Sequence, residues 1–349
     1  MVHLFFRLIL FGFGFWLLAA TFFSIVRTFV VPRNEKVLLT RLVFKIIRSI
    51  FQQILRLSKS FIYWDKVMAL YAPISLLALS LIGIGLMFIS YWAMFMGLGM
   101  SFRSAFVVSG SFLLTLGNSS VHSLLLNLLG FSESILGLVM VALLVSFLPT
   151  IYTAFSKREV LVSRLEFRAG SPPSGVEIIS RLYRFGERKH LDELWPVWET
   201  WFVEVEESHT SLFALTFFRS PKPNRSWVNA AGAILDAAAL VISSVEKAST
   251  YHTEMCFEAG VSALCSIAEF FDLQEIKMDT KDLEIKISHE QYRLACLKLI
   301  NQSVPLKLDR EQAWVDFKNC RVKYESALLA LANLTIAPES LWSHIQAKS

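Results

Sequence analysis

The residues with the most chemical content are Thr115-Leu116-Gly117-Asn118-Ser119, which close the apolar stretch SFRSAFVVSGSFLL and precede a longer apolar stretch reaching Pro149 and beyond. Peptide carbonyls can replace the water around a cation when several loops present them to one axis. The carbonyls of Thr115, Leu116, Gly117 and Asn118 and the Thr115 hydroxyl would be the oxygens here. Gly117 can take the dihedrals that turn successive carbonyls the same way. Backbone that is neither helix nor barrel survives at membrane depth only where it is buried in protein or lines a water-filled path. A short loop in this place is therefore a candidate cation path; its rival is a membrane-buried turn that conducts nothing. A preceding helix with its C-terminal end aimed at the loop would add the negative end of its dipole. One chain supplies one loop, so a closed ring of carbonyls requires several copies, most simply a cyclic homotetramer.

Three residues of the following apolar stretch could support or gate such a loop. Glu133 is ionisable within a membrane segment, which is costly unless it meets a partner or water. It either hydrogen-bonds behind the loop or reaches lipid headgroups at the outer face. Gly137 permits a bend or, equally, a close helix contact. Pro149 removes a backbone donor and predicts a kink near the end of the span, a position suited to a gate.

Other constellations carry less. Glu204, Glu206, Glu207 and His209 suggest a carboxylate-rich metal site, but the Glu-x-x-His spacing occurs once and a helical iron site needs it twice. A solvated acidic face with a helix-end histidine is the expectation. Cys256, Cys265, Cys296 and Cys320 form no CxxC pair and have no histidine partner spacing, so reduced thiols buried among helices are expected. No phosphate loop, dinucleotide fingerprint or serine elbow is present, and the chain is not expected to be an enzyme or to use a cofactor.

The elements that must position the loop follow from composition. Of 349 residues, 54% are hydrophobic and 18% charged, and the apolar ones concentrate before Thr153. Leu8 to Val26 is an uncharged run matching the roughly 20 residues a span needs. It is read as a retained anchor, because its apolar run exceeds that of a signal peptide. A second span covers about Leu70 to Met96, with Tyr63, Trp64, Tyr71, Tyr91 and Trp92 near its ends as interfacial belts. A third covers about Ser132 to Phe155. Between the first two lie Arg33, Lys36, Arg41, Lys45, Arg48, Arg56, Lys59 and Lys66 against Glu35 and Asp65, whereas Arg103 is alone between the second and third. The positive-inside rule places the N-terminus outside and the segment after the third span in the cytoplasm. Val37 to Leu57 alternates apolar and basic residues at helical spacing, which predicts an amphipathic helix at the membrane surface that could meet anionic lipid. Voltage-sensor spacing of arginine is absent.

After Ser156 ordinary charge density returns. Helices are predicted at about 174–185, 190–208, 226–247, 252–272, 289–303 and 309–334, with Ser171 as N-cap and Pro172 as first helical residue of the earliest. Trp195, Trp198, Trp201 and Trp227 are predicted to anchor the bundle core.

The stretch 109–182, with SGSFLLTLG, FLPTIYTAFSKREV and RAGSPPSGVEIISRL, resembles the bacterial potassium-channel proteins with a two-pore-domain-like ion-channel pore. The likeness continues through WETWFVEVEESHTSLFALTFFRSPKPNRSWVNAAGAILDAAALV. It implies a multi-pass channel of the cell (inner) membrane with K+ as permeant ion, Thr115, Leu116 and Gly117 as the first half of a filter, and a glutamate at position 133. Where that family reads TLG-x-GD, this chain has Asn118, Ser119 and Ser120, so the second glycine and the mouth carboxylate are missing and selectivity is reduced or permeation lost. The expected architecture is an all-α membrane protein: three transmembrane helices with a re-entrant pore loop, plus a C-terminal cytoplasmic helical bundle. Its divisions are an N-terminal helix (1–31), a basic amphipathic cytoplasmic linker (32–69), a pore domain (70–156) and a cytoplasmic helical domain (157–349). The expected partners are further copies of the chain and membrane lipids, anionic ones included, with no nucleic acid.

Overall fold

The computed structural model describes residues 2–29, 37–56, 61–116, 123–184, 188–222, 225–246, 248, 250–273 and 285–338. Among them every regular element is helical, apart from one bridge between Val245 and Leu306. The chain divides into two compact units, Met1–Tyr152 and Thr153–Ser349. It is an all-α membrane protein, and among the described residues four helices are long and apolar enough to cross a membrane.

The first unit contains α1 (Val2–Phe29), α2 (Leu38–Leu55), α3 (Phe61–Ala69), α4 (Tyr71–Gly97), α5 (Phe102–Leu113) and the start of α6 (Leu124–Ala169). Helix α1 lies along α4 because glycines allow it: a Cβ on Gly14 would come within 2.5 Å of the Ser90 carbonyl, and one on Gly97 within 2.7 Å of Phe11. Helix α2 has two apolar rows. Val43, Phe44, Phe51 and Leu55 are buried, and both phenylalanine rings meet Tyr71 edge-on. Leu38, Leu42, Ile46 and Ile50 form a second row that is exposed, beside the basic Lys45.

Two of the predicted interfacial aromatics are corrected. Tyr71 and Tyr91 are buried; Tyr71 donates to the Phe44 carbonyl (3.0 Å) and Tyr91 pairs with Ser132 (2.9 Å). Their hydroxyls find partners on neighbouring helices, so they join elements of the unit. The third predicted span also differs in extent. Helix α6 begins at Leu124 and continues through Pro149 to Ala169. Pro149 cannot donate to the turn before it, and the neighbouring Thr150 hydroxyl bonds back to the Ser146 carbonyl at 3.3 Å.

The second unit holds the end of α6, α7 (Gly175–Arg184), α8 (Arg188–Ser211), a 3-10 turn (Phe213–Phe217), α9 (Trp227–Ser244), α10 (Tyr251–Phe270), α11 (His289–Ile300) and α12 (Arg310–Thr335). Helix α9 is covered on nearly all sides, 94% of it being buried, because α7, α10 and α12 surround it. Trp195, Trp198, Trp201 and Trp227 all lie in the core. Helix α7 starts at Gly175, with Ser174 and not Ser171 in the N-cap position, its carbonyl accepting from Ile178 N–H at 3.1 Å. The close approach to α9 sets this start: a Cβ on Gly175 would sit 2.7 Å from Ala237 N. The predicted break at 279–282 lies outside the described residues, as do Pro223 and Asn224 of the other break.

Two predictions about side chains here are overturned. His209 is fully buried and pairs with Arg158, while Glu204 and Glu207 on the same helix are exposed. Cys265 is exposed and Cys320 partly so; only Cys256 and Cys296 are buried, and all four are free thiols. Both differences arise because neighbouring helices decide which face of an amphipathic segment is covered.

Candidate functional site

The loop after α5 and its supports form the candidate site. At 12 residues, α5 is about 18 Å long, too short for a hydrocarbon core of about 30 Å. Ser101 caps its start by accepting from Ser104 N–H (3.2 Å). On one side it lies against α4, where Trp92 packs on Phe102 with ring centroids 4.6 Å apart and donates to the Phe102 carbonyl at 3.1 Å. Phe88 meets Phe106 edge-on at 5.1 Å.

On the other side three consecutive residues of α6 bond to its neighbours, Ser132 to α4 and Glu133 and Ser134 to α5. Successive helical side chains point about 100° apart, so neighbours in sequence reach different partners. Ser132 receives Tyr91 of α4 and itself donates to the Leu129 carbonyl (2.7 Å). Glu133, wholly buried, accepts from the Ser109 hydroxyl of α5 at 2.6 Å. Ser134 donates to the Phe112 carbonyl in the last turn of α5, also at 2.6 Å. The headgroup-facing alternative for Glu133 is thereby corrected: it stands more than two turns inside α6, and α5 covers it. Its second oxygen, Oε2, is buried without a hydrogen-bond partner.

Glycines let α5 approach α6. A Cβ on Gly130 would fall 2.3 Å from the Phe112 ring, which Phe95 and Phe131 also confine. Gly137 lies against Leu113, whose Cδ1 would be 3.1 Å from an added Cβ, so of its two alternatives close packing is the one observed.

The end of α5 differs from the end of α4 in one residue type. Both close with a Schellman turn. In α4, Gly99 N–H bonds to Met96 O and Met100 N–H to Phe95 O, with Gly99 at φ 100°. In α5, Thr115 N–H bonds to Phe112 O and Leu116 N–H to Ser111 O, with Thr115 at φ 53°. A β-branched residue at positive φ is strained, by roughly 1–3 kcal/mol. The Thr115 hydroxyl is committed to the Leu114 carbonyl at 2.8 Å, and Leu116 is exposed. Gly117, Asn118 and Ser119, the remaining predicted filter residues, lie outside the described residues, as does Ser120.

Sequence reasoning named Glu133 and Gly137, and Tyr91 only as an interfacial aromatic, but missed Ser109, Ser132, Ser134 and Gly130. A signal was present: SGS at 109–111 and SES at 132–134 are polar interruptions of otherwise apolar segments. Among the described residues no group of three His, Cys, Asp or Glu side chains is placed to hold a metal ion. No family model, curated protein or solved structure matches the chain.

Proposed function

We propose that the chain is the pore-forming subunit of a monovalent-cation channel, with K+ as permeant ion, acting as an oligomer and most simply a homotetramer. The observation that carries this reading is α5: a helix too short to span, wedged between α4 and α6, with its C-terminal turn tied to α6 by Ser134 and the turn before it by Glu133. A helix end fixed in that way presents partial negative charge to the loop that follows, which favours a cation there. In this reading α1, α4 and the first part of α6 are the three spans and the 113–124 segment is the re-entrant loop. The basic segment between α1 and α4 then faces the cytoplasm together with the second unit, and α9 belongs to a cytoplasmic bundle.

A second reading is a non-conducting membrane sensor or scaffold on the same frame. It is favoured by Thr115, which closes α5 in a left-handed turn with its hydroxyl bonded to Leu114 O.

Flux from purified protein in K+-loaded vesicles separates the two. Conduction by wild type, its abolition by Gly117→Ala and increased K+ over Na+ preference in Ser119→Gly with Ser120→Asp support the channel. Flux only in the restored variant supports a frame that has lost permeation, and no flux from any folded, oligomeric variant removes the pore reading. Orientation is read separately by thiol labelling. Ser120→Cys should react from outside and the exposed Cys265 only after permeabilisation; the reverse pattern rules out the pore geometry.

A further inference from the structure

In the second unit a cleft of about 550 Å3 opens where α6, α7 and α8 meet. That volume lies within the roughly 300–1,000 Å3 of small-molecule sites. Its lining is sharply divided. Leu161 and Leu165 from α6 and Leu194 and Val197 from α8 supply an aliphatic floor, while Arg164, Arg168 and Arg181 supply charge.

The arginines are left available by how the nearby acids are used. Glu166, between two of them in sequence, is paired with Arg225 on another side of α6. The two oxygens of Glu177 go to Arg181 (2.8 Å) and Lys298 (2.9 Å). Arg164 and Arg168 are exposed and form no ion pair among the described residues. Arg181 is held in place by its bonds to Glu177 and to the Phe167 carbonyl (2.7 Å), which use Nε and Nη1 and leave Nη2 uncommitted. A guanidinium anchored on one side is preorganised to receive an oxyanion on the other.

The floor decides what else the ligand carries. Apart from the arginines and Glu193, every lining side chain is apolar, so a sugar or nucleobase would bring polar atoms to partnerless surroundings. Trp198 is only 3% exposed and offers no open face for stacking. Phe167 and Val197, 78% and 43% exposed, leave an apolar mouth for an aliphatic chain to cover.

We propose that this cleft binds a single-chain anionic amphiphile, its carboxylate or phosphate head among Arg164, Arg168 and Arg181 and its chain on the leucine floor. The inference rests on the second unit alone and is independent of whether the loop conducts.

The test is photo-crosslinking of the full chain in lipid nanodiscs with diazirine-bearing dodecanoate, dodecyl phosphate and dodecanol, followed by peptide mapping. Labelling within 161–168 and 194–198 by either anionic probe, and much less by the alcohol, is expected; the stronger head identifies the source of the anion. Arg164→Gln with Arg168→Gln should lower labelling about tenfold, the size expected when charged hydrogen bonds are lost. Leu161→Trp should lower it by crowding the aliphatic floor. Unchanged thermal unfolding, followed by tryptophan fluorescence, shows that the variants are folded. The proposal is overturned by equal labelling with the alcohol, by undiminished labelling of the double variant, by displacement with AMP but not with dodecanoate, or by cross-links running only to a second copy.

Discussion

Ser109 Oγ lies 2.6 Å from Glu133 Oε1, and both side chains are wholly buried between α5 and α6. The serine hydroxyl is shared with no equally short acceptor, since its approach to the Phe88 carbonyl is 3.4 Å. This bond joins the short helix to the long one just before the last turn of α5.

Removing the donor should therefore loosen α5 more than removing a solvent-facing hydroxyl would. Ser109→Ala leaves a buried carboxyl oxygen without its partner, a loss of about 1–3 kcal/mol. A cysteine at Leu114 should then react faster with a water-soluble thiol reagent in the Ser109→Ala background. Equal rates would mean that Ser134 and the ring contacts hold α5 unaided.

Glycine substitutions along the first unit should rank by the space each has. Gly130→Ala drives a methyl group into the confined Phe112 ring and should lower the unfolding temperature or the yield of folded oligomer. Gly12→Ala and Gly85→Ala meet nothing within 4 Å and should be neutral or slightly favourable, as alanine is the better helix former. A neutral Gly130→Ala would show that α5 is not packed against α6 as described.

The second unit should lose stability in mild acid through His209. Its Nε2 is 3.1 Å from Arg158 Nη1, a group that can only donate, so Nε2 accepts and Nδ1 donates to the Val205 carbonyl at 2.8 Å. Burial first, and then the Arg158 charge, hold its pKa well below the usual histidine value. The groups around it are Arg158, with Glu159 bonded to the far side of that guanidinium, the Ser208 hydroxyl and the Trp227 ring. The unfolded chain takes up a proton near pH 6.5 that the folded chain refuses. Stability is thus complete above that pH and falls below it, with a slope approaching about 1.4 kcal/mol per pH unit. Tryptophan-monitored unfolding from pH 7.5 to 5 should show a smaller slope in His209→Gln than in wild type; identical slopes would exclude this histidine as the cause.

The buried ions between α9 and α12 should respond unequally. Arg321 pairs with Asp236 and with Glu325 (3.1 Å), and Tyr324 also donates to Asp236. Arg321→Met strands two carboxylates and should destabilise by about 3–5 kcal/mol or more. Asp236→Asn keeps a hydrogen-bond acceptor and leaves Arg321 its bond to Glu325, so it should be the milder change. Denaturant unfolding of both variants checks the order, and a milder Arg321→Met would contradict it.

Hydrophobic runs and helical spacing were enough to place the helices of the second unit after α6 within a few residues, because they are built from local hydrogen bonding and from apolar segments of recognisable length, whereas α6 runs well beyond the predicted third span at both ends. Tyr251–Phe270 and Arg310–Thr335 lie close to their predicted positions. The four tryptophans of the core were likewise legible, since large apolar side chains at helical spacing have few alternatives to burial. The partners of polar side chains were not legible. Glu133 could have faced headgroups, Tyr91 an interface and His209 water, and each is instead enclosed by a helix distant in sequence: Ser109 is 24 residues from Glu133, Tyr91 is 41 from Ser132, and Arg158 is 51 from His209. The start of α7 was decided in the same way, by the contact of Gly175 with α9 and not by the caps at Ser171 and Pro172. Local sequence specifies which segments are helical and how apolar each face is. Which face is covered, and what a buried donor or acceptor meets there, depends on the approach of backbones that glycines such as Gly130 permit and that only tertiary packing realises.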